Sequence, residues 1–205
     1  MPAREPFNAW SHLIAAVAVA IGVPAVAAQR ADSAAAAAAF AVYGSMACLM
    51  FGASALYHWA DDANPILRKF DHAAIYLMIA GTYTPLCLLA LPDRIGRIVL
   101  ALQWGMAAAG LVATFRLTKP PTWVRLTLYL LMGWMALPLV GLLTASISAD
   151  GTIWVLAGGI LYTVGAVVYA SRRPNPRPGR FGFHEIWHLF VIGGALCHFV
   201  AMTYL

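Results

Sequence analysis

The stretch AAAAAAFAVYGSMACLMFGASALYH, residues 34–58, contains no lysine, arginine, aspartate or glutamate. A helix rises about 1.5 Å per residue and the hydrocarbon core of a bilayer is about 30 Å thick, so a run of this length can cross a membrane. The rest of the chain has the same character, because 62% of its 205 residues are hydrophobic and 10% are charged. Soluble domains carry about 25% charged residues, so the composition excludes an ordinary soluble domain and predicts an all-α integral membrane protein.

Seven apolar stretches of this kind occupy nearly the whole chain. They cover residues 8–28, 34–58, 71–91, 95–115, 124–144, 153–170 and 183–205. The sequence therefore predicts one domain, residues 1–205, that forms a seven-transmembrane helix bundle with no separate soluble domain.

The first stretch has an alternative interpretation as a cleaved signal peptide. Arg4 precedes the apolar run, and small residues follow it at positions 25–28. Against this, Glu5, Asn8 and His12 share one face of a helix, and a disposable signal has no use for such a polar stripe. We therefore expect the first span to be retained.

The thirteen lysine and arginine residues are distributed unevenly between the two sides. With the N-terminus in the cytoplasm, ten of them lie in cytoplasmic segments and three, Arg30, Arg94 and Arg97, lie outside. The ten are Arg4, Arg68, Lys69, Arg116, Lys119, Arg125, Arg172, Arg173, Arg177 and Arg180. This bias predicts a cytoplasmic N-terminus, an outer C-terminus and a place in the cell (inner) membrane. It also accounts for the net charge of +5 without a nucleic-acid partner.

Five ionisable side chains fall at the predicted cytoplasmic ends of the spans, and such groups are costly in a bilayer unless they serve a function. They are His12, His58, Asp71, His184 and His188. His184 and His188 are four residues apart, so they share a helix face and can bind one metal ion. His58 is the best third ligand, and three histidines with one open position are typical of catalytic zinc. Iron remains an alternative, whereas calcium and magnesium suit imidazole poorly.

Two further residues are candidates for catalysis beside this metal site. Asp71 could take a proton from bound water or orient it, and Ser54 lies one turn before His58 on the same helix face. His72, one position from Asp71, is expected to face elsewhere. His198 lies about 15 Å deeper than His188, so we expect it to make an interior polar contact rather than bind the same ion.

The string HEIWH, residues 184–188, also matches the zinc metalloprotease pattern H-E-x-x-H, with Glu185 as general base. The pattern lies in the last span, so any further ligand must come from upstream. Glu185 has a simpler interpretation as a carboxylate that stabilises the start of a helix. Because the pattern itself matches, an intramembrane protease is kept as a less favoured alternative.

Four segments, in this order, resemble a known family, and the resemblance extends over nearly the whole chain. They are EPFNAWSH at 5–12, SALYH at 54–58, FDHAAIYLMIAGTYTP at 70–85 and HEIWHLFVIGGALCHF at 184–199. The chain resembles the hemolysin III family of bacterial membrane proteins, relatives of the progestin and adiponectin receptors.

The resemblance implies a seven-helix bundle that holds one zinc ion near its cytoplasmic face. The ligands would be His58, His184 and His188, and Ser54 and Asp71 match the serine and aspartate beside the metal in those relatives. The eukaryotic receptors are linked to hydrolysis of lipid amides such as ceramide, and the wider superfamily is proposed to contain metal-dependent hydrolases. The bacterial branch is named for cytolysis and has been connected with membrane lipid homeostasis.

The leading hypothesis is a zinc-dependent hydrolase of lipid amides or esters, with membrane lipids as partners and a fatty-acyl ligand inside the bundle. A pore-forming cytolysin and a non-catalytic regulator with structural zinc remain as alternatives. A retinal photoreceptor is excluded, because the only lysines, Lys69 and Lys119, lie in connectors and offer no interior amine.

Overall fold

The regular secondary structure of the described residues is helical, apart from one isolated bridge between Arg177 and Phe181. The structure is a computed structural model that describes residues 3–60, 64–116, 121–178 and 180–205. Lys119, which the sequence assigns to the cytoplasmic side, lies outside these residues. The helices are α1 (Pro6–Arg30), α2 (Ala34–Trp59), α3 (Pro65–Pro85), α4 (Asp93–Arg116), α5 (Thr122–Trp134), α6 (Val140–Ser171) and α7 (Phe183–Met202).

The helix ends lie close to the predicted spans in α1, α2 and α4, but α3 begins six residues earlier than the predicted span. The local sequence explains this early start. The Asn64 side chain accepts hydrogen bonds from the backbone N–H groups of Ile66 and Leu67, and Pro65 occupies the first turn, where a missing N–H costs nothing. The beginning of α3 is thus a capped helical extension of the apolar span.

Six helices among the described residues are long and apolar enough to cross a membrane when the stretch Thr122–Ser171 is counted as one. That stretch has 50 residues and would be about 75 Å long as a single helix, more than twice the hydrocarbon thickness. Its backbone departs from helical geometry at Ile147 and Ser148, within the predicted connector 145–152. A second interruption, the 3₁₀ turn Leu137–Leu139, falls inside the predicted fifth span. Pro138 accounts for this turn, because it lacks the N–H that would continue the helix.

The interruption after α5 leaves backbone carbonyl groups that neighbouring helices satisfy. The side-chain amide of Gln103 on α4 donates to the carbonyl oxygen of Met132 at 2.8 Å. The hydroxyl group of Tyr83 on α3 donates to the carbonyl oxygen of Gly133 at 2.6 Å. These bonds fasten the end of α5 to α3 and α4 where lipid could not supply a partner.

The helices enclose a cavity of about 500 Å³. Helix α1 packs against α2 and α7, α3 packs against α2, α4 and α5, and α6 packs against α5 and α7. Large apolar side chains cover the outer surface, as on α1, where Trp10, Ile14, Val17 and Ile21 are exposed at helical spacing. The outer faces thus suit lipid, and the polar residues lie inside.

Candidate metal centre

Three histidines from two helices lie close together, and two of them, His184 and His188, line the cavity. His58 lies in the last turn of α2, and His184 and His188 lie in the first turns of α7. One ligand nitrogen from each ring lies within 4.8 Å of the other two. The ring centroids form a nearly equilateral triangle with sides of 5.0, 4.8 and 5.0 Å. The structure thus brings His58 of α2 beside two histidines that lie far away in the sequence, on α7.

The chemistry of these side chains fits a transition-metal ion such as zinc. Three imidazole nitrogens this close together are the donor set of a three-histidine zinc site. His58 and His188 are buried, and Nδ1 of His188 has no hydrogen-bond partner among the described residues. Three neutral imidazoles suit zinc or iron and do not suit calcium or magnesium.

The candidate catalytic residues border the same cavity. Ser54 is buried one turn before His58, and Asp71 is half-buried near the start of α3. The Ser54 side chain lies beside the Asp71 carboxyl group. A carboxyl group and a hydroxyl group therefore border the cavity that His184 and His188 also line.

The cavity extends away from the histidines into the apolar interior of the bundle. Its wall includes Met78, Leu86, Leu126 and Val191, and it reaches His198. His198 lies ten residues beyond His188 on α7, so the cavity is about 15 Å deep along this helix. Its length and apolar wall suit a hydrocarbon chain whose polar end meets the histidines.

Comparison with known proteins identifies the family. A family model described as Haemolysin-III related matches residues 2–199, nearly the entire chain. The chain belongs to this family. The resemblance deduced from the sequence motifs is thereby confirmed.

Relatives of this haemolysin-III-related chain include two bacterial proteins and one plant protein. Hemolysin-3 of Bacillus cereus is 34% identical over 210 residues, which cover 98% of this chain and 91% of that protein. The Hemolysin-3 homolog of Bacillus subtilis (strain 168) is 34% identical over 168 residues, with coverage of 80% and 76%. The Heptahelical transmembrane protein ADIPOR2 of Oryza sativa subsp. japonica is 29% identical over 190 residues, with coverage of 79% and 78%.

Glu185, the central acid of the HEIWH string, is engaged elsewhere in this haemolysin-III-related chain. Its Oε2 accepts a hydrogen bond from the backbone N–H of Gly182 at 2.7 Å, and its Oε1 accepts one from the side-chain amide of Asn8 at 3.2 Å. It therefore caps the start of α7. Because a general base must reach the attacking water, this geometry disfavours the protease alternative.

Glu5 contacts His58 of the metal centre, and no pattern in the sequence pointed to this contact. Its Oε2 lies 2.7 Å from Nδ1 of His58, and its carboxylate also pairs with Arg4 at 3.3 Å. The hydrogen bond with His58 is the main reason that the pKa of Glu5 falls to about 2, although partial burial opposes this shift. The sequence placed Glu5 and Asn8 on one helix face, but their partners come from distant segments.

For two other histidines, the structure confirms the expectation about His198 and contradicts the one about His72. His198 makes the expected interior contact, with Nε2 at 3.1 Å from the carbonyl oxygen of Val155. His72 borders the same cavity as Asp71, so the expectation that it faces elsewhere is wrong. The cavity lies between α3 and several neighbours, so adjacent positions at the start of α3 both reach it. Arg125, counted only as a topology signal, also lines this cavity.

Proposed function

We propose that this protein is a zinc-dependent hydrolase of lipid amides or esters that contributes to membrane lipid homeostasis. The observation that carries the proposal is the convergence of three histidine nitrogens within 4.8 Å of one another, beside a deep, largely apolar cavity that His184 and His188 line. A carboxyl group and a hydroxyl group border the same space. Such a site combines hydrolytic chemistry with room for an acyl chain.

The proposal places the protein in the cell membrane with seven crossings and a cytoplasmic N-terminus. The length of Thr122–Ser171 supports two crossings within that stretch, because 50 residues greatly exceed one bilayer thickness. The name of the rice relative, a heptahelical transmembrane protein, agrees with this count. The lysine and arginine bias supports the orientation, which puts the three histidines near the cytoplasmic face.

The proposed reaction assigns a task to each residue at the site. His58, His184 and His188 would hold the zinc ion, which when bound would lower the pKa of a water molecule to about 7 and polarise a carbonyl group. Asp71 accepts a proton from the attacking water as its oxygen bonds to the acyl carbon. The C–N or C–O bond then breaks, and Asp71 returns the proton to the amine or alcohol that leaves. Ser54 orients the Asp71 carboxylate through its hydroxyl group.

Metal analysis of purified protein tests the metal centre. We expect about one zinc per chain in the wild type, and loss of zinc in His58→Ala, His184→Ala and His188→Ala. His198→Ala is the matched control, because His198 lies about 15 Å away along α7 and should leave the zinc in place. A wild type without metal, or zinc that persists in His58→Ala, would overturn this part of the proposal.

Hydrolysis of a lipid panel tests the mechanism. Ceramides and acyl esters are presented in liposomes, and released fatty acid is measured by mass spectrometry. We expect Asp71→Asn to keep its zinc and to lose at least 100-fold in turnover, the range for a general acid–base group. Unchanged turnover in a zinc-loaded Asp71→Asn protein would contradict the assigned role.

A non-catalytic regulator with structural zinc is the second candidate, and it is favoured by the fact that the three histidines come from two different helices. His58 belongs to α2 and the other two belong to α7, so one ion held by all three would fasten these helices together. A zinc-loaded wild type that hydrolyses no lipid of the panel would favour this candidate. The name of the Bacillus relatives suggests a cytolysin, for which conductance in a defined planar bilayer would be the decisive measurement.

A further inference from the structure

The residues at the N-terminal end of α1, including Arg4 and Glu5 just before its first turn, contact both helices that carry the three histidines. The backbone N–H of Glu5 donates to the carbonyl oxygen of His58 at 3.1 Å, and the Glu5 carboxylate meets the ring of the same histidine at 2.7 Å. Arg4 adds a third contact, since its guanidinium group lies over the Tyr57 ring at 4.7 Å. The start of α1 is thus fastened to the end of α2 through backbone and side chains.

Asn8 extends this connection to α7. Its side-chain amide donates to Oε2 of Glu5 at 3.0 Å and to Oε1 of Glu185 at 3.2 Å, and it is fully buried. The Oε2 atom of Glu185 in turn accepts a hydrogen bond from the backbone N–H of Gly182 at 2.7 Å, and this bond fixes the first turn of α7. A continuous chain of hydrogen bonds therefore runs from His58 through Glu5 and Asn8 to the helix that carries His184 and His188.

The Glu5 contact determines which nitrogen of His58 is available. An ionised carboxylate only accepts hydrogen bonds, so Nδ1 of His58 must carry the hydrogen that it donates to Glu5. In a neutral imidazole the other nitrogen, Nε2, then keeps its lone pair. Carboxylate partners of this kind orient metal-binding histidines and increase their basicity.

We propose that Glu5 and Asn8 are positioning residues of the metal centre. Glu5 holds His58 in the Nδ1–H tautomer with Nε2 available to the ion, and Asn8 keeps the start of α7 in register with His58. This inference rests on the proposed metal site and adds to it a role for the first helix. It also explains the amide at position 8, because aspartate there would bring a third carboxylate against Glu5 and Glu185.

The first experiment measures the tautomer of His58 in metal-free protein. Histidine is labelled with ¹⁵N, and the His58 signals are assigned by their loss in His58→Gln. We expect the wild type to show protonated Nδ1 and bare Nε2, and Glu5→Ala to shift the ring toward protonated Nε2. Asp93→Asn is the matched control, because the Asp93 carboxylate is exposed and pairs only with Arg97 among the described residues. An unchanged tautomer in Glu5→Ala would overturn the role of Glu5.

The second experiment measures zinc affinity by competition with a chelator. We expect Glu5→Ala and Asn8→Asp to bind zinc 10- to 100-fold more weakly than the wild type, as for outer partners of metal ligands. Glu5→Asp, which keeps the carboxylate, should recover part of the affinity, and Asp93→Asn should match the wild type. Wild-type affinity in a folded Glu5→Ala or Asn8→Asp protein would refute the inference.

The two experiments separate this inference from the proposed function. A wild type that binds no zinc contradicts the metal site, while the tautomer measurement still decides whether Glu5 controls His58. Zinc binding that is lost only in the histidine variants confirms the metal site and overturns the positioning role.

Discussion

Replacement of His12 by phenylalanine should stabilise the protein, because the His12 ring is buried and forms no hydrogen bond with the described residues. The side chain is 3% exposed, and neither ring nitrogen has a partner among the described residues. The backbone carbonyl of His188 is nearby, but it forms no hydrogen bond of normal geometry with the ring. The ring lies 3.9 Å from the ring of His188 and 5.1 Å from that of Phe51.

The expected gain follows from this environment. A buried polar group without a partner costs about 1–3 kcal/mol, and phenylalanine removes both nitrogens while it keeps the aromatic contacts. His12 borders the cavity of about 500 Å³, so the larger ring has room. We expect His12→Phe to stabilise the fold by about 2 kcal/mol, or about 4–8 °C in melting temperature for a chain of this size.

His198→Phe is the matched control, with the opposite expected sign. This histidine hydrogen-bonds the carbonyl oxygen of Val155 at 3.1 Å, and Gly158 packs directly against its ring. The substitution loses a bond worth about 1 kcal/mol and forces a larger ring against the backbone, which costs about 1–3 kcal/mol more. The melting temperature should therefore fall.

The assay is thermal unfolding of metal-free protein in detergent, monitored through the fluorescence of the seven tryptophans. Metal-free protein is used so that ligand binding does not contribute to the melting temperature. If His12→Phe lowered the melting temperature as much as His198→Phe does, the nitrogens of His12 would have partners in the folded protein and the reasoning would be refuted.

Two further predictions concern packing and topology. Gly96→Ala should lower the melting temperature, because a methyl group there would overlap the backbone carbonyl oxygen of Cys87, and such overpacking costs about 1–3 kcal/mol. Gly105→Ala is the control on the same helix: its methyl group would face open space, so the melting temperature should stay the same or rise slightly. In a cysteine-free background, a membrane-impermeant maleimide should label Arg94→Cys in intact cells and Arg177→Cys only after permeabilisation, and the reverse pattern would contradict the proposed orientation.

The helices of this protein follow from local properties of the sequence. Insertion of a helix into a membrane depends on the summed hydrophobicity of about 20 consecutive residues, which explains why the ends of α1, α2 and α4 were predicted closely. The pairing of His184 with His188 is local too, because helical geometry alone puts positions i and i+4 on one face. The early start of α3 was missed although its signal, Asn64 before Pro65, is present in the sequence.

The composition of the site depended on contacts between distant segments. The sequence named His58 by its expected depth, but only the packing of α1 against α2 and α7 put it beside His184 and gave it Glu5 as a partner. The same packing put Glu185 beside Asn8, and the packing of α3 against its neighbours placed His72 at the cavity. Helix association in a membrane depends on side-chain fit and on hydrogen bonds between separate helices, and neither is encoded in the hydrophobicity of any one of them. The sequence by itself therefore determined the helices and the kinds of ligand, whereas the tertiary structure decided which of those side chains meet.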